Sequence, residues 1–163
     1  MNVYDDHFDE DGLAFIGQSQ AAALDNVTVE SRDILLNITG ASVARCCMAP
    51  GRYLPARVNQ HVMILRVNPE AADPYFVHAA INSDERKRQL LSYSQKGATR
   101  EALTKDMMAA FEITIPTQNL MRQFGEIAEP SFLQRENLAS QNEKLRIARD
   151  WLLSRLLTGE LVV

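Results

Sequence analysis

In the run Lys96-Gly97-Ala98-Thr99-Arg100 a glycine stands between two cations. Gly lets a backbone approach closely, and Lys and Arg reach phosphate oxygens or guanine edges, so this loop has the chemistry of a nucleic-acid contact. It fits equally a helix stop at Gly97 with the charges in water. Arg52, Arg57, Asn59 and Gln60 form a second set. Arg pairs bidentately with guanine, and Asn or Gln with adenine. Asn59 and Gln60 suit a structural role better, tying a loop to the apolar run that follows. Arg45 lies close after Gly40. Arg86, Lys87 and Arg88 read as a solvated helix face or as a phosphate contact. Tyr53 and Tyr93 suit base stacking or edge packing. The candidate DNA contacts are Lys96, Gly97, Thr99, Arg100, Arg52, Arg57 and Arg45.

Charge is unevenly distributed along the 163 residues, whose net value is -4. Residues 1–30 contain Asp5, Asp6, Asp9, Glu10, Asp11, Asp25 and Glu30 and no Lys or Arg, whereas residues 31–120 carry a basic excess. An anionic partner would dock on the middle segment, and the acidic start would repel it.

No motif marks an enzyme. The chain lacks a GxxxxGK[ST] loop, a GxGxxG turn and an HExxH helix. His7, His61 and His78 lie far apart, and Cys46 and Cys47 are adjacent, so no Cys/His set has zinc spacing. No catalytic residue, metal ligand or cofactor is expected. Adjacent cysteines rarely bridge, which suits a reducing, cytoplasmic setting. No apolar run approaches the eighteen or so residues of a membrane span, and the acidic N-terminus is no signal peptide.

The elements that must position these residues come in a clear order. DILLNI (33–38), SVARCCM (42–48) and HVMILRV (61–67) are β-rich runs separated by turn signals. Residues 1–30 read as loops with short extended pieces. PYFVHAAIN starts on Pro74 with helical spacing, and Ser83-Asp84 can cap a second helix, ERKRQLLSYS. A short helical piece around 101–109 precedes a fourth strand, FEITI (111–115). From Thr117 the chain becomes rich in Glu, Gln, Lys, Arg and Leu. Leu138, Leu145 and Leu152 are seven apart and Leu156 extends their face, a spacing that suits packing against another helix. Pro130 must kink or restart the helix, and Ser131-x-x-Gln134 favours a restart, leaving a helix of about 27 residues, roughly 40 Å long. Leu138, Leu145, Trp151, Leu152 and Leu156 are the expected interface. The fold class is α+β: a small mixed or antiparallel β-rich domain over 1–116, then a long helical spacer and dimerisation region over 117–163.

Taken together, VESRDILLNITGASVARCCMAPG, ARVNQHVMILRV, YFVHAAINSDERKRQLLSYSQKGATREALTKDMMAAFEITIP and a helix closing in RDWLLSRLLTGEL resemble the specificity subunit of type I restriction-modification systems over roughly residues 30–163. The resemblance implies a noncatalytic target-recognition domain that reads half of a split site in double-stranded DNA. It implies a helix that docks the methyltransferase subunit. S-adenosylmethionine and ATP would serve the partner subunits only. Family members carry two recognition domains, whereas this chain matches the C-terminal half, with its domain N-terminally shortened. A homodimer through the helix would restore the two-domain symmetry. The alternative is a truncated specificity fragment that dimerises and docks without binding DNA.

Overall fold

The computed structural model describes residues 2–95 and 102–160. It divides into two compact units, Met1–Gly125 and Glu126–Val163. The architecture is α+β, with small antiparallel sheets followed by a long C-terminal helix.

The first unit is organised on the DILLNI run. β4 (Ile34–Asn37) is the central strand of a three-stranded antiparallel sheet, between β5 (Cys46–Met48) and β7 (Val62–Leu65). Leu35 lies opposite Cys47 on one side and Ile64 on the other. All four β4 residues are buried, which explains a continuous apolar run where a one-sided strand would alternate. Ile34 and Leu36 point into one cluster with Cys46, Ile81, Leu90 and Leu103. Leu35 points into another with Val3, Val29, Cys47 and Ala49. The adjacent cysteines therefore face opposite layers, as the two-residue period of a strand requires, and neither is in a disulfide.

Helices cover the first face. α2 (Pro74–Asn82) opens with Asp73 accepting a hydrogen bond from the Phe76 amide at 2.9 Å and with Pro74 in the first turn. α3 (Asp84–Gln95) follows across Ser83, and α4 (Lys105–Ala109) is capped by Thr104, which accepts from the Met107 amide. The second face is covered by short pieces that lie mostly in the acidic start. These are a hairpin of β1 (Val3–Tyr4) and β2 (His7–Phe8), and a ribbon of β3 (Thr28–Val29) with β6 (Ala56–Arg57). Asn37 donates from its buried side-chain amide to the Val3 carbonyl at 2.9 Å, joining hairpin to sheet.

Four expectations are corrected. SVARCCM yields a strand only from Cys46, because Ala44 takes a left-handed conformation (φ 66°). Both Ala44 and Arg45 bond Asn37, through the Ala44 amide and the Arg45 carbonyl, so two residues oppose one in a bulge. FEITI forms no strand. Its alternation survives as burial, Phe111 and Ile113 packing on the core, but no neighbouring strand bonds it. At the sheet edge Leu103 instead donates to Ile38, and Ala102 bridges Thr39. α1 (Gln18–Ala23), a polar helix without apolar period, arises in the stretch read as loop. Finally, the chain does not restart at Ser131: α5 (Gln118–Leu157) runs 40 residues with Pro130 inside, about 60 Å at the helical rise. Pro130 has no amide hydrogen to donate one turn back, and the Ser131 hydroxyl bonds the Ile127 carbonyl at 2.8 Å.

The first turns of α5 belong to the first unit. Met121 is buried, Phe124 meets Phe76 edge to face at 5.7 Å, and a Cβ at Gly125 would stand 3.1 Å from an Asp73 carboxylate oxygen.

One buried carboxylate fastens the sheet. Asp33, 1% exposed, accepts from the Arg66 Nε and Nη2 at 2.8 Å each and from the Glu30 amide at 2.7 Å. Asp33→Ala is expected to cost about 2–4 kcal/mol in urea unfolding, because it strands those donors as well as removing the pair. A loss under about 0.5 kcal/mol would contradict this role.

Candidate functional site

Lys96, Gly97, Thr99 and Arg100 lie outside the described residues. The other candidate cations fall on the hairpin-and-ribbon side. Arg57, at the end of β6, donates to the Ala21 carbonyl at 3.2 Å and the Ala56 carbonyl at 3.0 Å, and pairs with Asp25 at 3.5 Å; its side chain is only 14% exposed. It fastens α1 to the ribbon. Arg52 lies over the Tyr53 ring, 4.9 Å from its centroid, and 3.7 Å from Glu10. Arg45, beside the bulge, lies over Tyr4 at 5.3 Å. Tyr53 and Tyr4 are thus covered by guanidinium groups, and Tyr93 meets Phe111 edge to face at 6.4 Å. Asn59 accepts from the His61 amide at 3.0 Å, and its carbonyl accepts from Val62, so it turns the chain into β7. His61 in turn contacts the Thr39 hydroxyl at 2.8 Å.

These cations share a pattern that residue-by-residue reading missed. Acids of the first thirty residues sit on cations or a histidine of the middle segment: Asp5 on Lys87, Asp6 on His78, Glu10 on Arg52, Asp25 on Arg57 and Glu30 on Arg66. The block of acids followed by a basic excess was the signal. Each exposed pair contributes at most about 1 kcal/mol, but together they neutralise the surface on which an anion would dock.

A second polar cluster lies where α2 meets α3. Asn82 is its hub. Its side-chain nitrogen contacts an Asp6 carboxylate oxygen at 2.9 Å, the Cys46 carbonyl at 3.2 Å and His78 Nε2 at 3.1 Å. Its oxygen accepts from Lys87 Nζ at 3.3 Å and from the Cys46 thiol at 3.2 Å. His78 is 1% exposed, with Nε2 3.4 Å from Asp6. Cys, His, Asn and Asp thus converge, yet the arrangement does not activate a nucleophile. Burial pushes the Cys46 thiol far above its ordinary range, outweighing the nearby Lys87 charge, so it stays a thiol. Among the described residues no His, Cys, Asp or Glu group could hold a metal ion, and no helix is long and apolar enough to cross a membrane.

In the second unit, Leu138, Leu145, Leu152 and Leu156 are all exposed and, with Ile127, share one side of α5. Glu129, Glu136, Glu143 and Asp150, also seven apart, line the opposite side. Trp151 precedes Leu152 by one position and so projects about 100° away from that row; it stacks on Arg155, 4.1 Å from ring centroid to guanidinium.

No protein-family model matches this chain, and no curated protein does. Among solved structures it is similar to a chain of a type I restriction-modification complex studied for its assembly and conformational transition. The identity is 20%, the TM-score 0.50, and the match covers 82% of this chain and 34% of that one. The chain thus spans about a third of the length of its solved counterpart, and what the two share is the fold.

Arg57→Ala is expected to lower stability by about 1–2 kcal/mol in denaturant titration, since Arg57 anchors α1 and the ribbon, while Arg45→Ala changes it by less than about 0.5 kcal/mol. Equal losses for the two would contradict the anchoring role.

Proposed function

We propose that this chain is a noncatalytic DNA-recognition module of a type I restriction-modification system, which reads half of a split site and docks the methyltransferase subunit. The observation that carries this reading is the fold shared with a chain of such a complex. A globular unit joined to a long helix with an exposed apolar row supports it, because that row asks for a partner. Two copies pair through the stretch 131–157, using Leu138, Leu145, Leu152 and Leu156, with Trp151 at the rim. A symmetric pair then presents two recognition units to a split palindrome in double-stranded DNA. The Lys96–Arg100 loop and Arg45, Arg52 and Arg57 are the proposed contacts. The protein works in the cytoplasm and needs no cofactor of its own; methyl transfer by the purified chain alone would overturn the noncatalytic assignment.

A second reading keeps helix pairing and methyltransferase docking but not DNA binding. It is favoured by the engagement of Arg52, Arg57 and Lys87 with acids of the chain's own start.

Band-shift selection from a randomised duplex pool, with and without the methyltransferase subunit and at physiological salt, separates the two. Enrichment of one split, repeated motif is expected. Binding that enriches nothing and vanishes with salt would leave the docking reading. Leu145→Asp with Leu152→Asp is expected to convert a dimer to a monomer in light scattering; a double variant that stays dimeric would overturn the helix interface.

A further inference from the structure

We propose that the junction of α2 and α3 is an anion site for a phosphodiester group of nucleic acid, and that the carboxylates of the chain's own Asp5–Asp6 turn fill it until that group displaces them. The ligand rests on the DNA-recognition reading; the site itself does not. Three donor groups converge there, Lys87 Nζ, the Asn82 side-chain amide and the Cys46 backbone amide, beside His78 Nε2, which lies 3.1 Å from the Asn82 nitrogen. Two carboxylates supply the acceptor oxygens. Asp5 accepts from Lys87 and from the Cys46 amide, the latter at 3.4 Å, and Asp6 accepts from Asn82 and lies 3.4 Å from His78 Nε2. A phosphodiester offers two non-bridging oxygens with one shared charge, the kind of acceptor that such donors bind. Without an anion, Lys87 would face the junction unneutralised.

The occupant is detachable. The carboxylates of Asp5 and Asp6 are about half exposed, 47% and 52%, so rotating them into water vacates the donors without disturbing the core. The hairpin base stays anchored through buried Val3 and its bond from Asn37. Asp6 holds a left-handed backbone (φ 56°), a conformation that residues other than Gly adopt uncommonly and that serves here to bring its carboxylate to Asn82.

The test uses the full chain and Asp5→Ala with Asp6→Gly, which empties the site while Gly keeps the turn. Should that variant lose its cooperative unfolding transition, Asp5→Asn with Asp6→Asn replaces it, because Asn also tolerates the left-handed backbone. Inorganic phosphate is titrated at physiological ionic strength, and the Asn82 side-chain and Cys46 backbone amide resonances are followed. Saturable shifts are expected in the double variant, roughly tenfold weaker binding in the unaltered chain, and loss of the shifts when Lys87→Gln is added. Identical titrations in the two proteins, no saturation, or indifference to Lys87→Gln would overturn the site. In a parallel arm, anisotropy of a labelled duplex is expected to show about fivefold tighter binding by the double variant than by Glu70→Gln with Glu112→Gln, which removes two exposed charges elsewhere. Equal tightening would overturn displacement by nucleic acid and leave only net charge. Saturable phosphate binding with no duplex binding by any variant would support the site and count against the DNA reading.

Discussion

Asp33 and Arg66 form the joint on which the globular unit depends. The carboxylate is buried at the entrance to β4, and the guanidinium grips both of its oxygens from the exit of β7. The same guanidinium reaches the Thr28 carbonyl at 2.9 Å and Glu30 at 2.6 Å, which brings in β3. On the other side the Asp33 backbone carbonyl accepts from Ala49, which closes the β5 pairing. The side-chain pair thus joins the ends of three strands, and the Asp33 backbone adds a fourth. Because a one-residue slip would turn every β4 side chain to the opposite layer, a device that fixes register at its first residue protects both faces at once. The bidentate bond also raises the Arg66 pKa further, so the guanidinium keeps its charge.

With register fixed, Ile34 and Leu36 bind the helical layer and Leu35 binds the hairpin and ribbon. That second layer is thin and made largely of acidic sequence. It holds to the sheet by Val3, Val29 and one buried amide bond, and around its rim by ion pairs with the basic middle segment. A layer held at its edges by exposed charge pairs weakens with salt and competes with external anions. Arg52, Arg57, Arg66 and Lys87 are therefore already matched with the chain's own acids, and under the proposed role a nucleic-acid partner must exchange for them. This couples the proposed recognition role to the charge asymmetry of the sequence.

The second unit works on a different principle. Its helix has an apolar row on one side and an acidic row on the other, with little in its own unit to cover the former. Helix stability in water comes chiefly from burying such a face. The apolar spacing, more than any one residue, is what calls for a companion.

The amino-acid sequence by itself determined the local elements whose signals are short-range. The DILLNI and HVMILRV runs, the helix that starts at Pro74, the short helical piece before FEITI and the leucine row of α5 could all be read from period and punctuation, because neighbours along the chain supply those forces. So could the role of Asn59, whose bond reaches only two residues ahead. Tertiary structure decided the rest. FEITI has strand alternation, but a strand exists only where another edge is free to pair with it. The bulge at Ala44, the buried end of Arg57 and the hub at Asn82 all depend on groups more than thirty positions away or on strain that packing sustains. Pro130 with Ser131-x-x-Gln134 favours a restart on local signals, yet the helix continues through it, since losing one hydrogen bond does not overcome the turns on either side. The partnering of each early acid with a distant cation was written in the sequence only as two blocks of charge; which carboxylate meets which cation was settled by the fold that brings the first thirty residues against the sheet.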